Sequence, residues 1–226
     1  MGEFKSFPRV IAEIIAGYAA TLRMLDWIPK EKINKSLLFS NSNADEAGLL
    51  DWKYHSGVVN VAKNSCSKAI PIIRDGLDML GNSIDSPVWG NPAMYDKLLY
   101  CTGYTIDWYW LSRNPNERAV ALLLTNLHEI SFHGFSMNPS AMPFLRENPR
   151  YILPGPLCAN PAAIDIIQLM DYEQIDWYYL SQNSSAWALE YLRINFDKID
   201  WHWMAGNSGI FQYLPDPAIV NMLING

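Results

Sequence analysis

The residues that could do chemistry in this chain are few and their spacing is specific. His128-Glu129 followed by His133 is close to the zinc-hydrolase pattern, which sets two histidines four apart on one helix face with a glutamate as base. Here the histidines are five apart, and Ile130 opens a new segment between them. They therefore read as turn residues and not as a metal pair. Asp107, Asp176 and Asp200 could pass for a carboxylate cluster. Each, however, sits in the same local phrase, as one structural device used three times would. Ser112, Ser136 and Ser181 also share a frame, with no histidine at a fixed offset to activate them. Neither glycine-rich phosphate loop, GxGxxG or GxxxxGK[ST], occurs in the chain. Cys66, Cys101 and Cys158 form no CxxC pair, which argues against a zinc site or a disulfide framework and points to a reducing compartment. No catalytic, metal-binding or cofactor-binding residues are assigned.

The elements that carry these residues follow from a repeat. The nine tryptophans of the 226 residues are explained by it. Asp-Trp occurs at 26, 51, 107, 176 and 200, where composition alone would give about 0.6 pairs. Ile106-Asp107-Trp108 runs on to Leu111-Ser112-Arg113-Asn114-Pro115; Ile175-Asp176-Trp177 to Leu180-Ser181-Gln182-Asn183; Ile199-Asp200-Trp201 to Met204-Ala205-Gly206-Asn207. Ile130 to Asn138-Pro139 and Ile152 to Asn160-Pro161 keep the same eight-residue offset. With that asparagine as marker, copies fall at Asn41, Asn64, Asn91, Asn114, Asn138, Asn160, Asn183 and Asn207. The intervals are 23, 27, 23, 24, 22, 23 and 24, and an insertion near 76–87 accounts for the longest.

Asp before Trp-x-x-Leu places a carboxylate at a helix N-cap, and Ile106 with Leu111 has the spacing of a hydrophobic staple. Asn-Pro reads as a second helix start. Each repeat is then two short helices, neither stable alone, so stacking must bury their apolar faces. The fold expected is all-α: an α-solenoid of about eight two-helix repeats with a period of about 23 residues. Residues 1–30 are expected to form a capping region around a Pro8-headed amphipathic helix over 6–18. The array is expected to run through 31–226 and end in an atypical C-terminal cap.

In frame after Asp-Trp come Tyr109-Trp110, Tyr178-Tyr179 and His202-Trp203. They either fill grooves between neighbouring helices or form an aromatic ladder. Tyr109, Trp110, Tyr178, Tyr179, His202 and Trp203 are therefore the candidate partner-binding residues, since rings bury large area at little rotamer cost. The formal net charge of −6 and the absence of a basic cluster exclude a typical nucleic-acid binder. No apolar run approaches the roughly 20 residues of a membrane span, and no signal peptide is read at the N-terminus.

The phrase Ile-Asp-Trp-x-x-Leu-Ser-x-Asn-Pro resembles that of the tryptophan-repeat proteins encoded by large nucleocytoplasmic DNA viruses of protists. The likeness spans roughly residues 7–214, although the copies at Asn64, Asn91 and Asn160 lack an in-frame Asp-Trp. It implies a viral repeat protein without assigned activity, in the host cytoplasm, a virus factory or the particle. The function expected is a non-enzymatic protein–protein interaction scaffold binding a host or viral protein. The alternative is a structural component of a virus particle or assembly. The N-terminal helix is also similar to the Leu-Pro-headed first helix of F-box modules, with Phe7-Pro8 in its place, which implies a third reading as a ubiquitin-ligase adaptor.

Overall fold

Each marker asparagine is buried with its side-chain amide fully bonded. In the computed structural model, which describes residues 20–50, 58–73, 87–100, 105–215 and 217–225 together with Arg9, Ala12 and Glu13, all eight are at most 2% exposed. Each Nδ2 donates twice to the preceding segment, to the carbonyl of its asparagine at 2.7–3.3 Å. The second bond goes to the carbonyl two residues before that asparagine, at 2.7–3.2 Å. Each Oδ1 accepts from the amide two residues further on, at 2.9–3.0 Å. Only a primary amide, with two donors and an acceptor on one rigid plane, meets all three demands. A buried polar group is tolerated because every bond is made.

The chain of bonds closes on itself. Asn41 donates to the carbonyls of Ala205 and Asn207, as Asn64 does to those of Phe39 and Asn41. A second seam joins the same ends. Strand β1 (Thr21–Met24) pairs antiparallel with β2 (Phe211–Leu214), with Thr21 opposite Leu214 and Met24 opposite Phe211. The segments Thr21–Met24 and Phe211–Leu214 thus cover each other.

The described chain is otherwise mostly helical. A short helix or 3-10 turn precedes each asparagine. The turns are Leu37–Ser40 and Pro87–Gly90. The helices are α1 (Val58–Val61), α3 (Trp108–Ser112), α5 (Phe132–Met137), α7 (Pro154–Leu157), α9 (Trp177–Leu180) and α11 (Trp201–Met204). Neighbours pack in order, α3 on α5, α5 on α7, α7 on α9. The residue three before each asparagine fills the core between them: Leu38, Val61, Val88, Leu111, Phe135, Leu157, Leu180 and Met204 are all buried. Second helices follow: α2 (Tyr95–Tyr100), α4 (Glu117–Thr125), α6 (Met142–Glu147), α8 (Ile164–Ile167) and α10 (Ala186–Ile194). Their apolar faces reach the same core through Leu98, Leu123, Leu145, Ile167 and Leu192. A last helix, α12, spans Pro217–Asn225.

Two expectations are corrected. Asn-Pro was read as the cap and first residue of a helix. That holds for the 3-10 turn Pro139–Ala141 after Asn138, but α4 is capped by Asn116 and α10 by Ser185, two residues after Asn114 and Asn183. The asparagine instead spans two segments, so its conformation answers to its neighbour first. Stacking is expected to bury the apolar faces of the short helices, but Trp108, Trp177 and Trp201 are only half-buried against the core. Trp177 stacks on Tyr191 at 5.5 Å, and Trp201 meets Phe196 edge-on at 5.1 Å. The N-terminal helix over 6–18, apart from Arg9, Ala12 and Glu13, and the insertion at 76–87, apart from Pro87, lie outside the described residues.

Candidate functional site: an aromatic circuit around a cationic cavity

The Asp caps form as their frame predicts. The Asp107 carboxylate accepts from Trp110 N at 3.0 Å, Asp176 from Tyr179 N at 3.2 Å, and Asp200 from His202 N and Trp203 N at 3.0 and 3.2 Å. These bonds fix the first turn of α3, α9 and α11, and so aim the two rings that follow each Asp-Trp. The serines are a further set of struts. Ser112, Ser136 and Ser181 are buried, and their Oγ atoms accept from Ser131 N, Leu153 N and Asp200 N of the next segment at 2.9–3.0 Å. Cys158 occupies the same frame. Its thiol is bonded by the Asp176 amide, and burial pushes it up, away from thiolate chemistry.

Closing the chain of segments brings the frame-equivalent rings together into a circuit. Trp110 meets Tyr109 at 5.4 Å and Tyr109 meets His133 at 5.8 Å. His133 meets Tyr179 at 5.6 Å, Tyr179 meets Tyr178 at 4.9 Å, and Tyr178 meets Trp203 at 5.3 Å. Lys63 Nζ completes the loop, 5.3 Å from the Trp203 ring and 5.2 Å from Trp110. Tyr109 and Tyr178 are 38% and 41% exposed, whereas Trp110, Tyr179 and Trp203 are half-buried. His202 is exposed and touches Trp203 at 5.2 Å. All six candidate partner-binding residues therefore lie on or beside one feature.

Within it lies a cavity of about 250 Å³, lined by Ser40, Lys63, Arg113, Met137, Ala159, Gln182, Gly206 and Trp203. Seven of these immediately precede a marker asparagine. The eighth such position, Gly90, lies against Trp110, whose ring is 3.3 Å from where a Cβ would stand. A cavity walled by the same position from seven of the eight segments of a closed cycle must lie near its axis. The asparagines build the site by holding the residue before each of them toward that axis.

The site is cationic. Arg113 lies over the Trp110 ring at 5.0 Å, and Lys63 lies between the two tryptophans. Burial, with the Arg113 charge beside it, brings Lys63 down to about 8. The same two causes lower His133, whose Nε2 is 2.6 Å from the Tyr179 hydroxyl while its Nδ1 is buried without a hydrogen-bond partner. Burial raises Tyr178 and Tyr179. Cation–π attraction is worth about 0.5–2 kcal/mol and leaves the net charge of the cavity positive.

Lys63 and Arg113 were not singled out by sequence, and His133 was weighed only as part of the zinc-like pattern. His133 had a signal, because it stands in the Tyr109 and Tyr178 frame, two residues after the Asp position that Ser131 takes. His128, its partner in the zinc-like pattern, is exposed beside Glu129 at 3.6 Å. Among the described residues no three metal-ligating side chains converge, and no helix is long and apolar enough to cross a membrane. The chain matches no protein-family model, no curated protein and no solved structure.

Proposed function

We propose that the chain is a helical repeat array, a solenoid wound into a ring of eight, that serves as a non-enzymatic protein–protein interaction scaffold. The aromatic circuit is its contact surface. The observation that carries this reading is the convergence of Tyr109, Trp110, Tyr178, Tyr179, His202 and Trp203 from three segments onto one end of the cycle. Exposed tyrosines beside half-buried tryptophans and an arginine are the composition of interface hot spots. Asp107, Asp176 and Asp200 are bonded as caps, and Ser112, Ser136 and Ser181 as struts. In line with the resemblance of its motif, the protein is viral and its partner a host or viral protein.

The ring closure favours the scaffold over a lattice component. Asn41 donates to the Ala205 and Asn207 carbonyls, so among the described residues the array has no open end on which another copy would stack. The test is affinity capture from infected cells with the native chain and with a Tyr109→Ser/Tyr178→Ser variant. A partner held by the native chain and lost by the variant, at unchanged melting temperature, supports the scaffold. Recovery only with purified particles, equal for both chains, would overturn it.

A further inference from the structure

The axial cavity carries two positive charges and, among the described residues, no negative one. Neither Lys63 nor Arg113 has a carboxylate partner there, although the chain has acids in excess and pairs other cations, such as Arg146 with Asp165 and Lys68 with Asp45. The acids on the elements bearing the rings, Asp107, Asp176 and Asp200, direct their carboxylates at backbone amides. The remaining wall is neutral, with Ser40 and Gln182 as its hydrogen-bonding side chains. Two cations held near one another at partial burial repel, and ring faces only partly offset this.

We propose that this cavity binds a compact oxyanion, a carboxylate or phosphate group, with Lys63 and Arg113 as its charge partners and Trp203 in its wall. A guanidinium offers a planar fork that matches either group, and an ammonium adds a point charge. The cavity is ample for a phosphate, or for a carboxylate with the stem of its side chain. The anion is either free in solution or carried by the partner, and in the second case the inference rests on the scaffold reading and names the chemistry of its target. Binding holds the Lys63 proton in place, so affinity falls as pH rises through about 8. The other titratable groups around the cavity are Tyr109, His133, Tyr178, Tyr179 and His202. Burial moves His133 below its usual range and Tyr178 and Tyr179 above theirs.

The test titrates the full chain with inorganic phosphate, with acetate and with a capped glutamate peptide. Tryptophan fluorescence is the readout, and sodium chloride at equal ionic strength is the control. Saturation by at least one probe is expected, weakened about tenfold or more in Lys63→Met and in Arg113→Gln, as loss of a charge-assisted bond implies. The native chain should bind more weakly at alkaline pH than at pH 7 and should take up protons on binding near pH 8. Saturation by free phosphate or acetate assigns a small-ion site; saturation by the peptide alone assigns a partner's carboxylate. No saturation by any probe, or variants that bind as the native chain does, would overturn the proposal. Either substitution relieves the repulsion, so one failing to fold leaves the other, and the native pH profile needs neither. A chain that binds the anion but captures no protein overturns the scaffold and leaves this site standing; the converse result does the opposite.

Discussion

Asn41 Nδ2 donates to the backbone carbonyl of Asn207 at 2.9 Å, across 166 residues of chain. The same bond joins every other pair of successive marker asparagines, and here it joins the last to the first. Its consequence is that every segment has two neighbours. An open array of repeats frays from its ends because the terminal units have only one. Hydrogen exchange under native conditions should therefore give similar opening free energies for the amides of Asn43, Ser140 and Gly209, which the asparagine side chains hold. Protection falling steadily toward both ends would contradict the closure.

Removing one asparagine strands two carbonyls and an amide. Asn138→Ala should lower stability by about 3 kcal/mol or more, because each unpaired buried group costs about 1–3 kcal/mol. Asn138→Asp should be worse at neutral pH, since it presents a carboxylate to the Ser112 and Asn114 carbonyls. The buried acid has its pKa raised above the unfolded value. The variant is therefore least unstable in acid and loses stability as pH rises, which chemical denaturation at several pH values would reveal.

The Asp caps predict a different pattern. Asp176→Asn should leave stability nearly unchanged, because Asn caps a helix about as well, whereas Asp176→Ala should lose about 0.5–2 kcal/mol. An Asn variant that keeps its melting temperature but loses partner binding would show that the carboxylate does more than cap α9.

Trp177 is half-buried against Tyr191 and Tyr172. A fully buried tryptophan costs about 3–5 kcal/mol when cut to alanine. Trp177→Ala should therefore fall toward the low end, about 2–3 kcal/mol, and a melt that barely moves would count against its packing role.

His133 gives the protein an acid-sensitive point. Burial and Arg113 lower its pKa below 6.5, so the folded state resists a proton that the unfolded chain accepts. Its contribution is fully present above 6.5 and is lost as pH falls toward the folded value. Thermal melts on the acid side should show less decline for His133→Phe than for the native chain. Equal decline would place the acid sensitivity elsewhere.

The sequence by itself determined the helices, their Asp caps and the eightfold rhythm. These rest on local rules: a carboxylate before a helix accepts the nearest free amides, and short amphipathic segments must find neighbours. It also supplied the frame in which Tyr109, His133 and Tyr178 are equivalent. Only the tertiary structure decided that the marker asparagine bridges two segments and does not simply cap one, because an amide side chain suits both tasks and the choice depends on which carbonyls lie nearby. Closure was likewise hidden. A repeat fixes the step from one segment to the next, but whether eight steps return to the start depends on small rotations that accumulate around the array. Closure in turn gathered Lys63, Arg113, Trp110 and Trp203 around one axis. Trp110 and Arg113 are neighbours on one helical turn, but Lys63, Arg113 and Trp203 come from three segments up to 140 residues apart, and only the completed cycle brings them together.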